Sequence, residues 1–207
     1  MTTIVTERLI LRPWEDADAP ALYRLARDPE VGPAAGWFVH GSEEQSLEVI
    51  RDVLRGPESY AITLRGTGGT GDGGDGAGSP GTAGTGGAQD AAVAAREPAG
   101  TLVGAISLMG AQASDLVGGA GEYEAGYWVG RPFWGRGYCP EALRALIARA
   151  RDELGARTIW AGYYTGNGKS RRVMEKCGMS FVRCDRDVDV PLLGERRDLM
   201  VMRLDLR

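Results

Sequence analysis

An α/β or α+β fold, a sheet covered by helices on both faces, is the architecture this sequence predicts, and three observations predict it. Short segments of strand-like alternation are interleaved with segments of helical spacing along most of the chain. One unit, Glu122 to Leu154 (EYEAGYWVGRPFWGRGYCPEALRALIARARDEL), runs from an aromatic-rich strand through a glycine-punctuated loop into a long amphipathic helix. The length of 207 residues, 43% hydrophobic and 25% charged, suffices for the core of a single globular domain over 1–207.

The elements follow in order. Arg8 to Arg12 (RLILR) reads as a short strand, and Asp16 to Arg27 as a helix with Leu22, Leu25 and Ala26 on one face, ended by Asp28-Pro29. A second helix, Glu43 to about Leu54, is opened by Ser42 and Gln45 at capping-box spacing and lined by Leu47, Ile50 and Leu54. Ser59 to Leu64 alternates as a strand, and Thr101 to Met109 is another. Between them Gly66 to Gly100 is a tract of Gly, Ala, Thr, Ser, Pro and Asp, predicted to be a disordered surface insertion, with an interdomain linker as the alternative. Lengthening a hairpin connection from ~4 to ~35 residues costs roughly 2 kcal/mol of closure entropy, which a domain this size tolerates. After the central helix come a strand at Thr158 to Gly162, a short helix from about Gly168 to Cys177, and closing strands near Ser180 to Cys184 and Asp198 to Leu206.

Composition excludes several functions. A net charge of -4 argues against a nucleic-acid binder and suits an amine-bearing substrate. The start, MTTIVTERLILRPW, lacks a cationic segment followed by an apolar one, and no apolar run approaches ~20 residues, so a cytoplasmic protein without membrane contact is expected. Three cysteines, Cys139, Cys177 and Cys184, form no CxxC pair and read as reduced thiols; with His40 the lone histidine, no metal site is expected.

The loop Trp134-Gly135-Arg136-Gly137-Tyr138 reads as a phosphate cradle. Its glycines admit left-handed turns, and the helix that follows offers spare N–H donors and the positive end of its dipole. Pro140 suits the first turn, and Leu143, Leu146, Ile147, Ala150 and Leu154 mark a buried face. Two other phosphate motifs fail. Gly168-Lys169-Ser170 would need a glycine where Tyr163 stands, and Gly135-x-Gly137 would need one at Pro140.

Thr6-Glu7-Arg8-Leu9-Ile10-Leu11-Arg12, Gly126-Tyr127-Trp128-Val129, Trp134 to Tyr138 with Glu141-Ala142-Leu143, and Asn167-x-x-Ser170 before Glu175-Lys176-Cys177-Gly178-Met179 together resemble the GNAT N-acetyltransferase superfamily. The resemblance is to its RimJ/RimL-type branch, which acetylates N-terminal α-amines of ribosomal proteins and has relatives acting on antibiotics and other small amines. It implies a mixed, splayed sheet holding acetyl-CoA between the two central strands. The strand bearing Trp128 and Val129 would pair with the pantetheine arm, Trp134, Gly135, Arg136, Gly137 and Tyr138 would hold the pyrophosphate, and Asn167 would lie beside the cofactor. At the first position of the superfamily's Q/R-x-x-G-x-G/A pattern this chain has Pro132. Lys169, Arg171 and Arg172 form a positive cluster suited to a 3′-phosphate.

The chemistry so implied is transfer of an acetyl group to a primary amine, a peptide or protein N-terminal α-amine or a small molecule, by a monomer or homodimer. It requires a neutral nucleophile, a supported oxyanion and a proton for the leaving thiolate. An α-amine, titrating near ~7.7–8.0, needs less help than a lysine near ~10.4. Glu124, two residues before Gly126, is the candidate base, and Glu122, on the same strand face, the runner-up. Many superfamily members carry a tyrosine acid where this chain has Met174, so Ser170 is the proton donor that the resemblance offers, with capping or packing as its other role. Backbone N–H groups around Val129 would polarise the thioester carbonyl. Cys139 at a helix N-terminus is a candidate for a depressed thiol pKa, and His40 for a place in the acceptor site or on a loop. The alternative function is a catalytically silent acyl-CoA-binding module.

Overall fold

A computed structural model describes residues 2–66 and 97–206. Strands β1 (Ile4–Val5) and β2 (Leu9–Arg12) form a hairpin whose turn is held by the Leu9 N–H donating to Thr6 Oγ1 at 2.9 Å. The predicted helix at Asp16 begins as a single 3-10 turn, Asp16–Asp18, before α1 (Ala19–Ala26). Asp18 explains the tight start. It accepts a fork from Arg12 at 2.6 and 2.8 Å and the Glu15 N–H at 2.9 Å, tying the turn to β2.

A four-residue helix, α2 (Gly32–Ala35), precedes α3 (Glu43–Val49). Ser42 caps α3 as its spacing predicts, accepting the Gln45 N–H at 3.1 Å. Beyond Val49 the helix widens into a π turn, Ile50–Leu54. Strands β3 (Ser59–Leu64), β4 (Leu102–Met109) and β5 (Glu122–Val129) lead to α4 (Tyr138–Asp152), then β6 (Thr158–Tyr164), α5 (Gly168–Lys176), β7 (Ser180–Val190) and β8 (Glu195–Asp205). The closing strands outrun their predicted limits because alternating charges in Arg183 to Asp189 mask a ladder that continues to Val190 opposite Glu195.

The strands form one open sheet in the order β1-β2-β3-β4-β5-β6-β8-β7, antiparallel except between β5 and β6. All six residues of β3 are buried, as in a strand covered on both faces. α4 packs on β2, β4 and β5, burying Ala142, Leu143, Leu146, Ile147 and Ala150, while α1 packs on α3 and β4. The fold is thus the mixed, splayed sheet with helical cover that the family resemblance implied. Residues 67–96, most of the tract read as a disordered insertion, lie outside the described residues. At its borders the Gly100 N–H donates to Leu64 O at 2.8 Å and the Leu64 N–H to Thr101 O at 2.9 Å. Among the described residues no helix is long and apolar enough to cross a membrane.

Candidate active site

The site originates in a parting of two strands. β5 pairs with β4 along its length, Gly104 opposite Val129 through Met109 opposite Glu124, but with β6 only over Glu122–Glu124 against Thr158–Trp160. β6 meanwhile continues beside β8 as far as Tyr164 opposite Leu199. From Ala125 to Val129 the edge of β5 facing β6 therefore has no strand partner, and a cleft of about 1260 Å³ opens in the gap. Period-two alternation sends Glu124 and Trp128 to one face of β5 and Tyr127 and Val129 to the other, so the cleft is approached from both faces.

At one end lies the glycine loop. Gly135 and Gly137 have φ of 76° and 79°, left-handed conformations that a side chain resists, and Gly137 is the N-cap of α4. No side chain caps this helix, and Gly137, Tyr138 and Cys139 at its start line the cleft, at the positive end of a 15-residue dipole. The loop is held from Arg8, the residue before β2. Arg8 donates to Arg136 O at 2.9 Å and to Glu141 Oε2 at 2.7 Å, and its guanidinium lies 4.9 Å from the Tyr138 ring centroid. Burial pushes the Glu141 carboxyl up, but bonds from Thr6 and Arg8 outweigh it and hold the group below its ordinary range. Trp134 donates its indole N–H to Val129 O at 2.6 Å, fixing the loop to the end of β5, and Lys169 Nζ lies 3.5 Å over the Trp134 ring.

Glu124 lines the cleft deep in the gap. Burial raises its carboxyl above the ordinary range, opposed by the Ser114 hydroxyl, which donates to Oε2 at 2.6 Å, and reinforced by Asp115. Glu122 is committed elsewhere, accepting from Trp160 Nε1 at 3.0 Å and the Gly118 N–H at 3.1 Å, and these bonds lower its pKa.

Across the gap, Asn167 caps α5 by accepting the Ser170 N–H at 3.1 Å, and donates from Nδ2 to Ala34 O at 3.1 Å. Ser170 Oγ is 3.0 Å from the Tyr127 hydroxyl, which also reaches Ser170 O at 3.1 Å. Burial pushes the Tyr127 phenol up, so it stays protonated at neutral pH. The segment around α2 bridges both arms of the gap. Pro33 O accepts from Arg197 on β8 at 2.6 Å, Ala34 O accepts from Asn167, and Trp37 meets Trp128 of β5 edge-on at 5.6 Å.

The structure thus gathers Glu124, Trp128, Val129, Trp134, Gly135, Gly137, Tyr138, Asn167 and Ser170 around one cleft. Arg136, of the same loop, does not line it: its carbonyl accepts from Arg8 and its guanidinium lies 5.6 Å over the Phe133 ring. Of the basic cluster, Lys169 and Arg172 line the cleft, whereas Arg171 pairs with Glu175 at 2.7 Å. Two readings are corrected. Cys139 does not have the depressed pKa that its place at a helix N-terminus suggested: burial, with Cys177 nearby, pushes its thiol up. His40 stands in the loop before α3, as one of its readings has it, but it neither lines the cleft nor lies at the surface. It is buried at 6% exposure with Nδ1 2.8 Å from Ser46 Oγ, and desolvation lowers its pKa. Sequence reasoning missed Ser114, α2 and the Tyr127 hydroxyl. Only Tyr127 left a signal, as the central residue of Gly126-Tyr127-Trp128.

A family profile described as "Acetyltransferase (GNAT) domain" matches residues 8–180. The FsC-acetyl coenzyme A-N(2)-transacetylase of Aspergillus fumigatus is 39% identical over 59 residues, 28% of this chain and only 25% of that protein. Among solved structures, a GNAT-family acetyltransferase from Bacillus anthracis superposes with a TM-score of 0.71 at 22% identity, covering 99% of this chain and 98% of the other. The ribosomal L7/L12 alpha-N-protein acetyltransferase RimL, solved with coenzyme A, does so with 0.64 at 15%, covering 99% and 98%.

Proposed function

Because the chain belongs to the GNAT acetyltransferase family, we propose that it is an N-acetyltransferase, moving the acetyl group of acetyl-CoA to a primary amine by direct attack within a ternary complex. The observation that carries this reading is a half-buried carboxylate, Glu124, held by Ser114 in the strand gap that also receives the N-terminus of α4.

The residues fit acetyl-CoA: an unpaired strand edge for the amides of its arm, and an uncapped helix N-terminus behind two left-handed glycines for its pyrophosphate. Trp128, Val129, the loop from Trp134 to Tyr138 and Asn167 would hold it. When bound, acetyl-CoA supplies an activated thioester. Glu124 takes the proton of the incoming amine, the Val129 N–H supports the acyl oxygen, and Ser170 Oγ, backed by the Tyr127 hydroxyl, is the proton source from the other face. Gly137→Ala tests the loop. A left-handed alanine costs about 1–2 kcal/mol, and its methyl would meet Arg8 Nη2 at about 3.3 Å. Acetyl-CoA affinity by calorimetry is expected to fall roughly tenfold, and an unchanged affinity would remove the loop from the binding surface.

The acceptor class we favour is an α-amine, of a peptide N-terminus or a small molecule, since neither needs a strong base. RimL, by its name, acts on a protein α-amine, and the Aspergillus relative's name places its transfer at N(2). The test is acetyl-CoA-dependent thiol release against peptides beginning with Ser, Ala or Met, lysine, polyamines and aminoglycosides. Acceptor-dependent release with α-amines above lysine side chains is expected. Tight acetyl-CoA binding with no release for any amine would instead mark a silent acyl-CoA-binding module.

A further inference from the structure

We propose that Ser114 is a positioning residue that aims the Glu124 carboxylate at the acceptor amine, an inference that rests on Glu124 as the base. Ser114 belongs to the connection between β4 and β5, which lines the cleft with Ser114, Asp115 and Leu116. Its Oγ accepts the Leu116 N–H at 3.1 Å and donates to Glu124 Oε2 at 2.6 Å. The loop backbone thereby orients the hydroxyl, and the hydroxyl orients the carboxylate through a short charge-assisted bond. Among the described residues Oε2 is the only Glu124 oxygen with a hydrogen-bond donor, so Oε1 keeps its lone pairs for a proton from the cleft.

The surroundings leave this bond as the main force favouring the ionised form. Asp115, on the same loop, and burial both oppose ionisation. From β6, Tyr164 faces Glu124, with the Arg197 guanidinium of β8 5.3 Å over its ring. Glu122, next on the same strand face, is held by Trp160 and Gly118. From β4 the register partner of Glu124 is the uncharged Met109. Ser114 therefore sets both the direction of the base and the pH at which it becomes available.

The test is the pH dependence of kcat/KM in Ser114→Ala, Ser114→Thr, Glu124→Gln and the Ser114→Ala/Glu124→Gln double variant. In Ser114→Ala the acid limb should move up by about one pH unit, the loss of one hydrogen bond to a charged group. Ser114→Thr, which keeps a hydroxyl, should restore it, and the double variant should match Glu124→Gln alone. NMR titration of the Glu124 carboxyl carbon, which needs no acceptor, should show the same displacement. An unmoved limb and titration in Ser114→Ala would overturn the positioning role while leaving Glu124 as base. The amine's own protonation leaves a limb near ~7.7–8.0 in every variant, so a second, lower limb that persists in Glu124→Gln would overturn the base assignment itself, and with it the proposal.

Discussion

Glu124→Gln is expected to lower kcat by about 10²–10³-fold, the usual worth of a positioned general base. Acetyl-CoA affinity should hardly change, since the amide keeps the carboxylate's shape and Glu124 lies near the start of β5 whereas the glycine loop follows its end. The pH dependence carries the sharper signature. Burial raises the Glu124 carboxyl, so its proton is lost only above the ordinary carboxylate range, and the rate falls as pH drops through that raised value. The variant should lack this limb, with its deficit largest between that raised value and the ~7.7–8.0 at which an α-amine loses its own proton. Steady-state kinetics between these limits decides the matter; a rate equal to that of the parent enzyme would exclude Glu124 from the proton path.

The second large effect concerns stability. Arg149 of α4 grips Glu58, just before β3, through Nε to Oε2 and Nη2 to Oε1, both at 2.7 Å, and Tyr60 donates to the same carboxylate at 2.7 Å. The Arg149 and Glu58 side chains are only 9% and 17% exposed. Arg149→Leu strands a carboxylate beside a phenol, and the expected loss is about 2–3 kcal/mol, below that of a fully buried pair because Glu58 keeps some water. For a domain of this size that is roughly 4–12 °C in Tm. The Arg149 bond holds the Glu58 pKa below its ordinary value. Its stabilisation is therefore present above the unfolded carboxylate pKa and lost as pH falls through the folded one. The deficit of Arg149→Leu should shrink on acidification, and a deficit independent of pH in thermal melts would show that packing, not charge, is what was lost.

Residues whose purpose depends on their own backbone are legible in the sequence itself. Gly135 and Gly137 announce a turn no side chain favours, Ser42 announces a helix start, and the alternation of β5 separates Glu124 from Tyr127. What cannot be read there depends on partners distant along the chain. Tyr127 and Ser170 meet across 43 positions, and Arg197 reaches Pro33 across 164. α2, only GPAA, is too short to show a period. Ser114 belongs to a connection with none. Cys139 misleads because proximity to a helix terminus is visible in a sequence whereas desolvation is not. His40 misleads likewise, since the serine that receives it comes six residues later on a helix face whose burial packing alone decides.

The short helix GPAA has a mechanical consequence. Through Pro33, Ala34 and Trp37 it is bolted to β8, to the start of α5 and to β5, so the two halves of the sheet cannot swing apart without straining three joints together. These ties oppose a widening of the gap, so part of its shape need not be assembled out of binding energy.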